Sequence, residues 1–294
     1  MTAPRPATDD TAPPPEPAPA SHVMADGSRM ALHRAALRAD LGPASTPEPS
    51  PIYPFVLAHP VADATVRGMA DDGAESPSVV HLGQEIRIRR LPRPAEEIGA
   101  APEVLAVRAQ PGGCNVAVRI TLTDAAGEPV AVLLSTVLLS GASPAPFGTA
   151  HRMSAPARSG SGEAVGVTHR LSEEWIADYA EASGDRNPIH LDPAAARAAG
   201  FDTVIAHGMG VLGLACEEVV DRFAAGSPAR VRSIGARFSA PVGAGEPLTM
   251  ALEPDADPAG GPVAFSCRTG RGLAVKGGWV ELHPARGAAE PDDG

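Results

Sequence analysis

Apolar residues in the second half of the chain follow two patterns, one typical of strands and one of a buried helix. Short segments rich in Val, Ile, Thr and Phe partly alternate with polar positions between Gly and Pro, which predicts strands. A longer and mainly apolar stretch from 207 to about 224 predicts a helix. The predicted strands lie at 165–170, 231–242, 247–253, 263–269 and 273–282.

Two further helices are predicted between the first strand and the apolar helix. Ser172 suits the N-cap of one, because its hydroxyl can accept a hydrogen bond from the first turn, where Glu173 and Glu174 favour the positive end of the helix dipole. A loop containing Asn187-Pro188 follows, and a short helix is predicted at 193–197.

The first half of the chain shows a similar order of elements. A weak helical pattern at 60–69 precedes strands predicted at 79–91, 104–110, 114–123 and 130–139. A helix followed by a run of antiparallel strands is an α+β layout in which the sheet packs on the helix. Both halves therefore favour the same fold.

Composition divides the chain into segments. Residues 1–28 are rich in Pro, Ala and acidic residues and have little to bury, which predicts a disordered tail. Residues 141–164 and 286–294 have similar low complexity and are interpreted as a linker and a second tail. Two domains are predicted in the remaining chain, at 29–140 and 165–285.

A short repeat indicates that the two domains are copies of one fold. The segment Val56-Leu57-Ala58-His59-Pro60 matches Val204-Ile205-Ala206-His207-Gly208 in residue type and order. Leu82-Gly83 then matches Ile234-Gly235 at the start of the first long predicted strand of each half.

Charge and cysteine content exclude several classes of protein. The net charge of −11 argues against a nucleic-acid surface, which needs clustered Lys and Arg. The three cysteines are far apart, which fits neither a disulfide scaffold nor a zinc site. No secretory signal and no membrane-spanning stretch is apparent. We therefore expect a cytoplasmic protein that binds neither nucleic acid nor membrane.

The candidate chemistry lies in the segment Gly184-Asp185-Arg186-Asn187-Pro188-Ile189-His190. Asp185 and His190 would diverge on a regular helix, but the turn set by Asn187-Pro188 can bring both side chains to one point. A carboxylate and an imidazole that share a water can carry out general acid–base chemistry. The alternative is structural, with Asp185 capping a turn and His190 as a buried core residue.

The start of the apolar helix offers a second functional group. The Gly208 amide lies where a helix leaves its N–H groups unpaired, so it can stabilise negative charge on a ligand oxygen. Alternatively, Gly208 only permits close helix–sheet packing. The first half serves as an internal control: Pro60 matches Gly208 but has no N–H, and no Gly-Asp-x-Asn-Pro-x-His loop precedes it. We therefore expect that half to be catalytically silent.

These residues resemble the MaoC-like (R)-specific enoyl-CoA hydratase/dehydratase family of the hotdog fold. The resemblance is strong in the second half and weak in the first, where it depends on Tyr53-Pro54 and Leu57-Ala58-His59-Pro60. The matching residues of the second half are Ser183-Gly184-Asp185-Arg186-Asn187-Pro188-Ile189-His190-Leu191-Asp192-Pro193, Ile205-Ala206-His207-Gly208-Met209 and Arg237-Phe238.

The resemblance implies two hotdog domains that form an internal pseudo-dimer, each with an antiparallel sheet wrapped on a central helix. The first is degenerate and the second is catalytic. It also implies reversible hydration of trans-2-enoyl-CoA to (3R)-3-hydroxyacyl-CoA, with Asp185 and His190 activating the water and Gly208 binding the thioester oxygen. Asn187, His207 and Met209 are the expected substrate-binding residues.

The same resemblance implies no metal and no separate cofactor, because CoA or an acyl-carrier phosphopantetheine enters with the substrate. Higher homo-oligomers are compatible with an internal pseudo-dimer. Two alternative functions stay open from the residues alone. The chain could be a hotdog acyl-CoA thioesterase, or a non-catalytic acyl-binding subunit of a hydratase complex.

Overall fold

The second half folds in the order that its sequence pattern predicts. The fold is taken from a computed structural model in which residues 20–70, 78–149, 151–257 and 260–284 are described. A 3₁₀ turn, Pro228–Arg230, precedes the second strand of this half. The elements are β6 (Val165–Arg170), α3 (Glu173–Ser183), α4 (Pro188–Leu191), α5 (Pro193–Ala198), α6 (Gly208–Phe223), β7 (Val231–Phe238), β8 (Pro247–Glu253), β9 (Gly261–Thr269) and β10 (Gly272–Leu282).

The first half has more structure than its sequence pattern predicts. A short strand, Ser21–Ala25, lies within the segment 1–28, and a helix begins there at Gly27. The prediction of a disordered tail is therefore wrong for residues 21–28. Residues 1–19 and 285–294 lie outside the described part. The elements are β1 (Ser21–Ala25), α1 (Gly27–Leu37), α2 (Tyr53–Arg67), β2 (Val79–Ile88), β3 (Glu96–Gln110), β4 (Gly113–Thr123) and β5 (Pro129–Ser140).

Strand β1 is ordered because it pairs with a distant strand. It runs antiparallel to β3, with Ser21 opposite Ala100 and Ala25 opposite Glu96. Strand β3 begins at Glu96, eight residues before the predicted start at 104, and includes Pro102. Pro102 lies beyond the end of β1 but pairs with Ile120 on β4, so its missing N–H leaves the β1 ladder intact.

The ten strands of the described residues form one antiparallel sheet, in the order β1-β3-β4-β5-β2-β7-β10-β9-β8-β6. The two halves join where β2 pairs with β7. Gly83 lies opposite Arg237, and its repeat counterpart Gly235 lies opposite Glu85, which is the pairing that a two-fold axis produces. The internal pseudo-dimer and the α+β class are therefore confirmed.

Each half wraps its strands around one central helix. Every residue of α6 from Met209 to Val220 is buried, and α2 packs on β2, β3, β4 and β5. Helix α2 begins at Tyr53, earlier than predicted, because Pro54 occupies the first turn, where a missing N–H costs nothing. Pro60 therefore lies inside α2.

The described residues of 141–164 form no helix or named strand, as expected of a linker, but they pack on both halves. Phe147 is buried and bridges to Val107 of the first half. Ser159 N donates a hydrogen bond to the Asp255 carboxylate at 2.9 Å in the second half.

Candidate active site

The turn between α3 and α4 brings Asp185 and His190 together. Gly184 ends α3 with a φ of 82°, which is a left-handed conformation that glycine adopts without strain. The Asp185 carboxylate accepts a hydrogen bond from Asn187 N at 3.2 Å, and Asn187 caps α4. His190 follows on α4, and the ligand atoms of Asp185, His190 and His207 all lie within 4.8 Å of one another. The geometry that the sequence predicted for this pair is present.

The hydrogen bond of His190 fixes the tautomer of its neutral ring. Its Nδ1 lies 2.7 Å from the carbonyl oxygen of Ile205. Because a carbonyl oxygen only accepts, Nδ1 carries the proton, and Nε2 keeps a free lone pair. Ile205 is itself held by a backbone bond from its N–H to Ile189 O at 3.3 Å. The imidazole is thereby oriented as a base.

His207 contacts both the backbone of this loop and the ring of His190. It is the N-cap residue of α6, and its Nε2 donates to the backbone carbonyl of Asp185 at 2.9 Å. Its ring stacks on that of His190, with centroids 3.7 Å apart. His207 is only 1% exposed and its ring also packs on Tyr179, but it lines the cavity described below, so its expected contact with substrate stays a prediction.

Burial and neighbouring charges set the protonation of this pair. Burial by itself would raise the pKa of Asp185, but His207, His59 and His190 together outweigh it and hold the pKa below its usual value. Burial lowers the pKa of His190, and the Asp185 carboxylate and the bond to Ile205 offset this only in part. At neutral pH the site holds a carboxylate beside a neutral imidazole.

The start of α6 borders the same site. Gly208 and Met209 are its first residues, and both line the cavity described below. The N–H groups of a first helical turn have no partner within the helix, so they can face a ligand. The missing side chain of Gly208 has a packing role as well, since a Cβ there would lie 3.0–3.2 Å from the Phe238 ring. Both interpretations of Gly208 are thus compatible with the structure.

A cavity of about 770 Å³ connects these groups to the first half of the chain. Asp185, Asn187 and His190 line one side, although the Asn187 side-chain oxygen also accepts from Ile189 N at 3.4 Å. The opposite wall comes from the degenerate half. It consists of residues on α2, β2, β4 and β5, among them Phe55, His59, Val66, His81, Val118 and Val137.

Two histidines in this wall were not predicted from the sequence to belong to the site. His59 and His81 each stack on Phe55, with ring centroids 5.2 and 5.6 Å away, and His81 also meets Phe238 edge-on. His59 occupies the repeat position of His207, which was a usable signal. His81 had no such signal, because only the seam between β2 and β7 brings it to the site.

The degenerate half lacks a matching second site. Its counterpart of Gly208 is Pro60, which lies in the interior of α2 instead of at a helix start. No Gly-Asp-x-Asn-Pro-x-His loop precedes it in the sequence. Among the described residues, Asp185, His190 and His207 form the one group of three or more His, Cys, Asp or Glu side chains whose ligand atoms converge in this way.

Comparison with known proteins identifies the second half. Residues 159–257 match the family model described as a MaoC-like domain. This part of the chain is similar to MaoC-like domains. The solved MaoC-like dehydratase of Phytophthora capsici shares the fold, with a TM-score of 0.75 and 22% identity over 94% of this chain and 97% of that one. A Mycobacterium tuberculosis protein described as a double hotdog fold superposes with a TM-score of 0.59 at 15% identity, over 93% and 96% of the two chains.

Sequence relatives are more similar but are matched only in part. The 3-hydroxyacyl-thioester dehydratase Y of Mycobacterium tuberculosis is 30% identical over 179 residues, which cover 60% of this chain and 61% of that protein. The peroxisomal multifunctional enzyme type 2 of Drosophila melanogaster is 42% identical over 86 residues, or 29% and 14% of the two chains. The matches thus span less than two thirds of either relative.

Proposed function

We propose that this protein adds water to trans-2-enoyl thioesters to give (3R)-3-hydroxyacyl thioesters, and catalyses the reverse dehydration. The observation that carries the proposal is the convergence of Asp185 and His190 within 4.8 Å at a cavity bordered by the start of α6. The relatives include a 3-hydroxyacyl-thioester dehydratase, which supports the same reaction class.

The pair would activate one water molecule. The water donates one hydrogen bond to the Asp185 carboxylate and one to Nε2 of His190, whose lone pair is free because Nδ1 donates to Ile205. The imidazole is the more basic of the two groups, so we assign it the proton. As that proton leaves, the water oxygen bonds to C3, and Asp185 stabilises the imidazolium that forms.

The electron pair displaced by this attack needs a stabilising group. It moves through the double bond to the thioester oxygen, which becomes enolate-like. Unpaired amides at the start of α6, with Gly208 first, are donors of the kind that stabilise such an oxygen. The enolate then collapses, and C2 takes the proton from His190, so the reaction consumes one water and leaves the site unchanged.

No metal and no redox cofactor are part of the proposal. The reaction transfers no electrons between reactants. The Asp185 carboxylate and the rings of His190 and His207 lie close enough together to hold a cation, but the proposed reaction does not need one. We further propose that CoA or an acyl-carrier phosphopantetheine presents the substrate.

No helix in the described part of the chain is both long and apolar enough to cross a membrane. The cytoplasmic location, the absence of a nucleic-acid partner and possible homo-oligomers stay predictions. The names of some relatives place them in peroxisomes, which is a statement about those proteins.

The decisive experiment adds purified protein to crotonyl-CoA and follows the ultraviolet absorbance of the conjugated thioester. We expect the absorbance to fall, chiral analysis to show the (3R)-3-hydroxy product, and the rate to survive dialysis against a metal chelator. Release of free thiol without a 3-hydroxyacyl product would identify a thioesterase instead. No reaction with enoyl thioesters of graded chain length would favour an acyl-binding subunit.

A further inference from the structure

Helix α1 lies against both elements that carry the candidate site. It packs mainly on α3, which leads into the Asp185 loop, and also on α6, which begins at Gly208. Strand β1, directly before it, pairs with β3 and is thereby fixed to the sheet of the first half. The proposed mechanism uses no residue of α1.

Arg29 of α1 contacts the chain just before Asp185. Its Nε donates to the carbonyl oxygen of Ala182 at 3.3 Å, in the last turn of α3. Carbonyl groups there have no partner within the helix and carry the negative end of its dipole, so a cation is favourable. The guanidinium also covers Gly184, where a Cβ would lie 2.5 Å from Nη2. The Arg29 side chain thus lies over Gly184, where the catalytic loop begins.

Buried ion pairs hold α1 in this position. Arg34 and Arg38 both contact the fully buried carboxylate of Glu217 on α6, at 3.1 and 2.9 Å. Arg38 also pairs with Asp221, one turn further along α6, at 2.8 Å. Because the partners are fixed on the central helix, α1 cannot slide along α3 without breaking these contacts.

A row of aromatic rings extends this contact to the site. His33 of α1 is fully buried, with its ring centroid 5.6 Å from that of Tyr179 on α3. Tyr179 in turn lies 5.0 Å from His207, which donates to the Asp185 carbonyl. Helix α1 therefore supports the Asp185 loop in two ways. Arg29 contacts the start of the loop directly, and His33 contacts it indirectly through Tyr179 and His207.

We propose that α1 is a clamp for the catalytic loop and that Arg29 is a positioning residue for Asp185. The inference rests on the proposed hydratase function. Arg29 touches neither the substrate nor the reacting atoms in this mechanism. Its effect is to keep the Asp185 carboxylate at the distance from His190 that a shared water requires, where a displacement of about 1 Å can cost roughly 100-fold in rate.

The test compares Arg29→Ala with Arg29→Lys in the full chain. We expect the alanine variant to lower kcat by about 10- to 100-fold with little change in KM or in melting temperature, since the lost interaction orients a catalytic group. The lysine variant keeps a cation near the Ala182 carbonyl and should recover most of that loss. Arg119→Ala is the matched control. Arg119 on β4 forms an exposed ion pair with Glu103 on β3, in the sheet of the first half.

Backbone amide exchange gives a readout that does not depend on turnover. Arg29→Ala should accelerate exchange at residues 183–191 and leave the β2–β7 seam unchanged, whereas Arg119→Ala should accelerate neither. Wild-type kcat in Arg29→Ala, or faster exchange throughout the chain, would overturn the clamp. If the wild-type protein does not hydrate enoyl thioesters, the proposed function fails, while the exchange experiment still decides the inference about α1.

Discussion

Asp185 and His190 differ in protonation because burial and charge act on them in opposite directions. Burial disfavours charge on both side chains, but for Asp185 the neighbouring histidines, which gain charge as the pH falls, outweigh burial and hold its pKa below the usual value. The imidazole has one carboxylate for compensation, and burial prevails. The result is a pair that can accept two hydrogen bonds from one water.

Removing the charge at residue 185 should abolish most activity without unfolding the protein. Asp185→Asn keeps the oxygen that accepts from Asn187 N but removes the carboxylate, so we expect kcat to fall by about 10²–10⁴-fold. His190→Ala should lose a similar factor, since no base remains. Asp192→Asn, in an exposed cap of α5, is the control and should retain wild-type turnover. Near-normal turnover in both active-site variants would refute the assignment.

The pH dependence of kcat/KM should report His190. Protonation removes the lone pair of Nε2, and the pKa of His190 is lowered from 6.5, so activity should be level above pH 6.5 and fall only below it. In Asp185→Asn the residual activity should persist to lower pH, because the carboxylate that raises this pKa is gone. An acid limb centred above 6.5, measured with crotonyl-CoA, would contradict the model of a neutral buried base.

At the scale of elements, the start of α6 combines a chemical and a packing requirement. Its first residue must offer an amide and must also leave room for the Phe238 ring of β7. In the other half the helix begins seven residues before the matching position. The degenerate half therefore differs at this position in two ways: no helix begins there, and Pro60 has no N–H.

Adding one methyl group at this helix start should displace it. In Gly208→Ala the Cβ would lie 3.0–3.2 Å from the Phe238 ring, so the ring or the helix end must move by a few tenths of an ångström. We expect a loss of about tenfold in kcat, since donors aimed at the thioester oxygen shift. Phe238→Leu in the same chain should restore part of the rate. Gly166→Ala, where no atom lies within 4 Å of the added Cβ, should have no effect.

At the scale of the whole molecule, one continuous sheet joins two unequal halves. The seam between β2 and β7 places His81 of the first half beside Phe238 of the second. The degenerate half thus supplies a wall of the cavity, although it lacks the Asp–His pair. Pro60→Gly should consequently create no second site, and kinetics of the Asp185→Asn, Pro60→Gly double variant should show no recovered activity.

Several buried histidines should make the folded chain sensitive to acid. The pKa values of His33, His81 and His207 are lowered from 6.5 to about 3, 4 and 4, first of all by burial. The unfolded chain therefore binds more protons than the native chain between pH 6.5 and about 4. The free energy of unfolding should fall as the pH drops through this window, with each unit of pKa difference worth about 1.4 kcal/mol.

Urea unfolding at pH 7.5 and at pH 5 checks this expectation. His33→Phe should reduce the difference between the two unfolding midpoints, because His33 is fully buried between Tyr53 and Tyr179 and has no hydrogen-bond partner among the described residues. His22→Gln, at an exposed position on β1, should leave the difference unchanged. Equal midpoints at both pH values in the wild-type chain would contradict the prediction.

Local sequence determined the catalytic loop and the elements beside it. Ser172 caps α3 through a 3.0 Å bond to Trp175 N, Gly184 ends it, and Asn187-Pro188 starts the turn that directs His190. These features depend on residues within a few positions of one another, so the pattern alone was sufficient. The repeat likewise indicated two copies of one fold and which copy lacks the Asp185–His190 loop.

Only the tertiary structure decided the features that join distant segments. Strand β1 and helix α1 were not predicted, because their stability comes from distant partners on β3 and from Glu217. The tautomer of His190, the lowered pKa values and the contact of Arg29 with Ala182 depend on groups that the chain brings together only on folding. Hydrogen bonds and burial act through space, whereas a pattern along the chain reports only near neighbours.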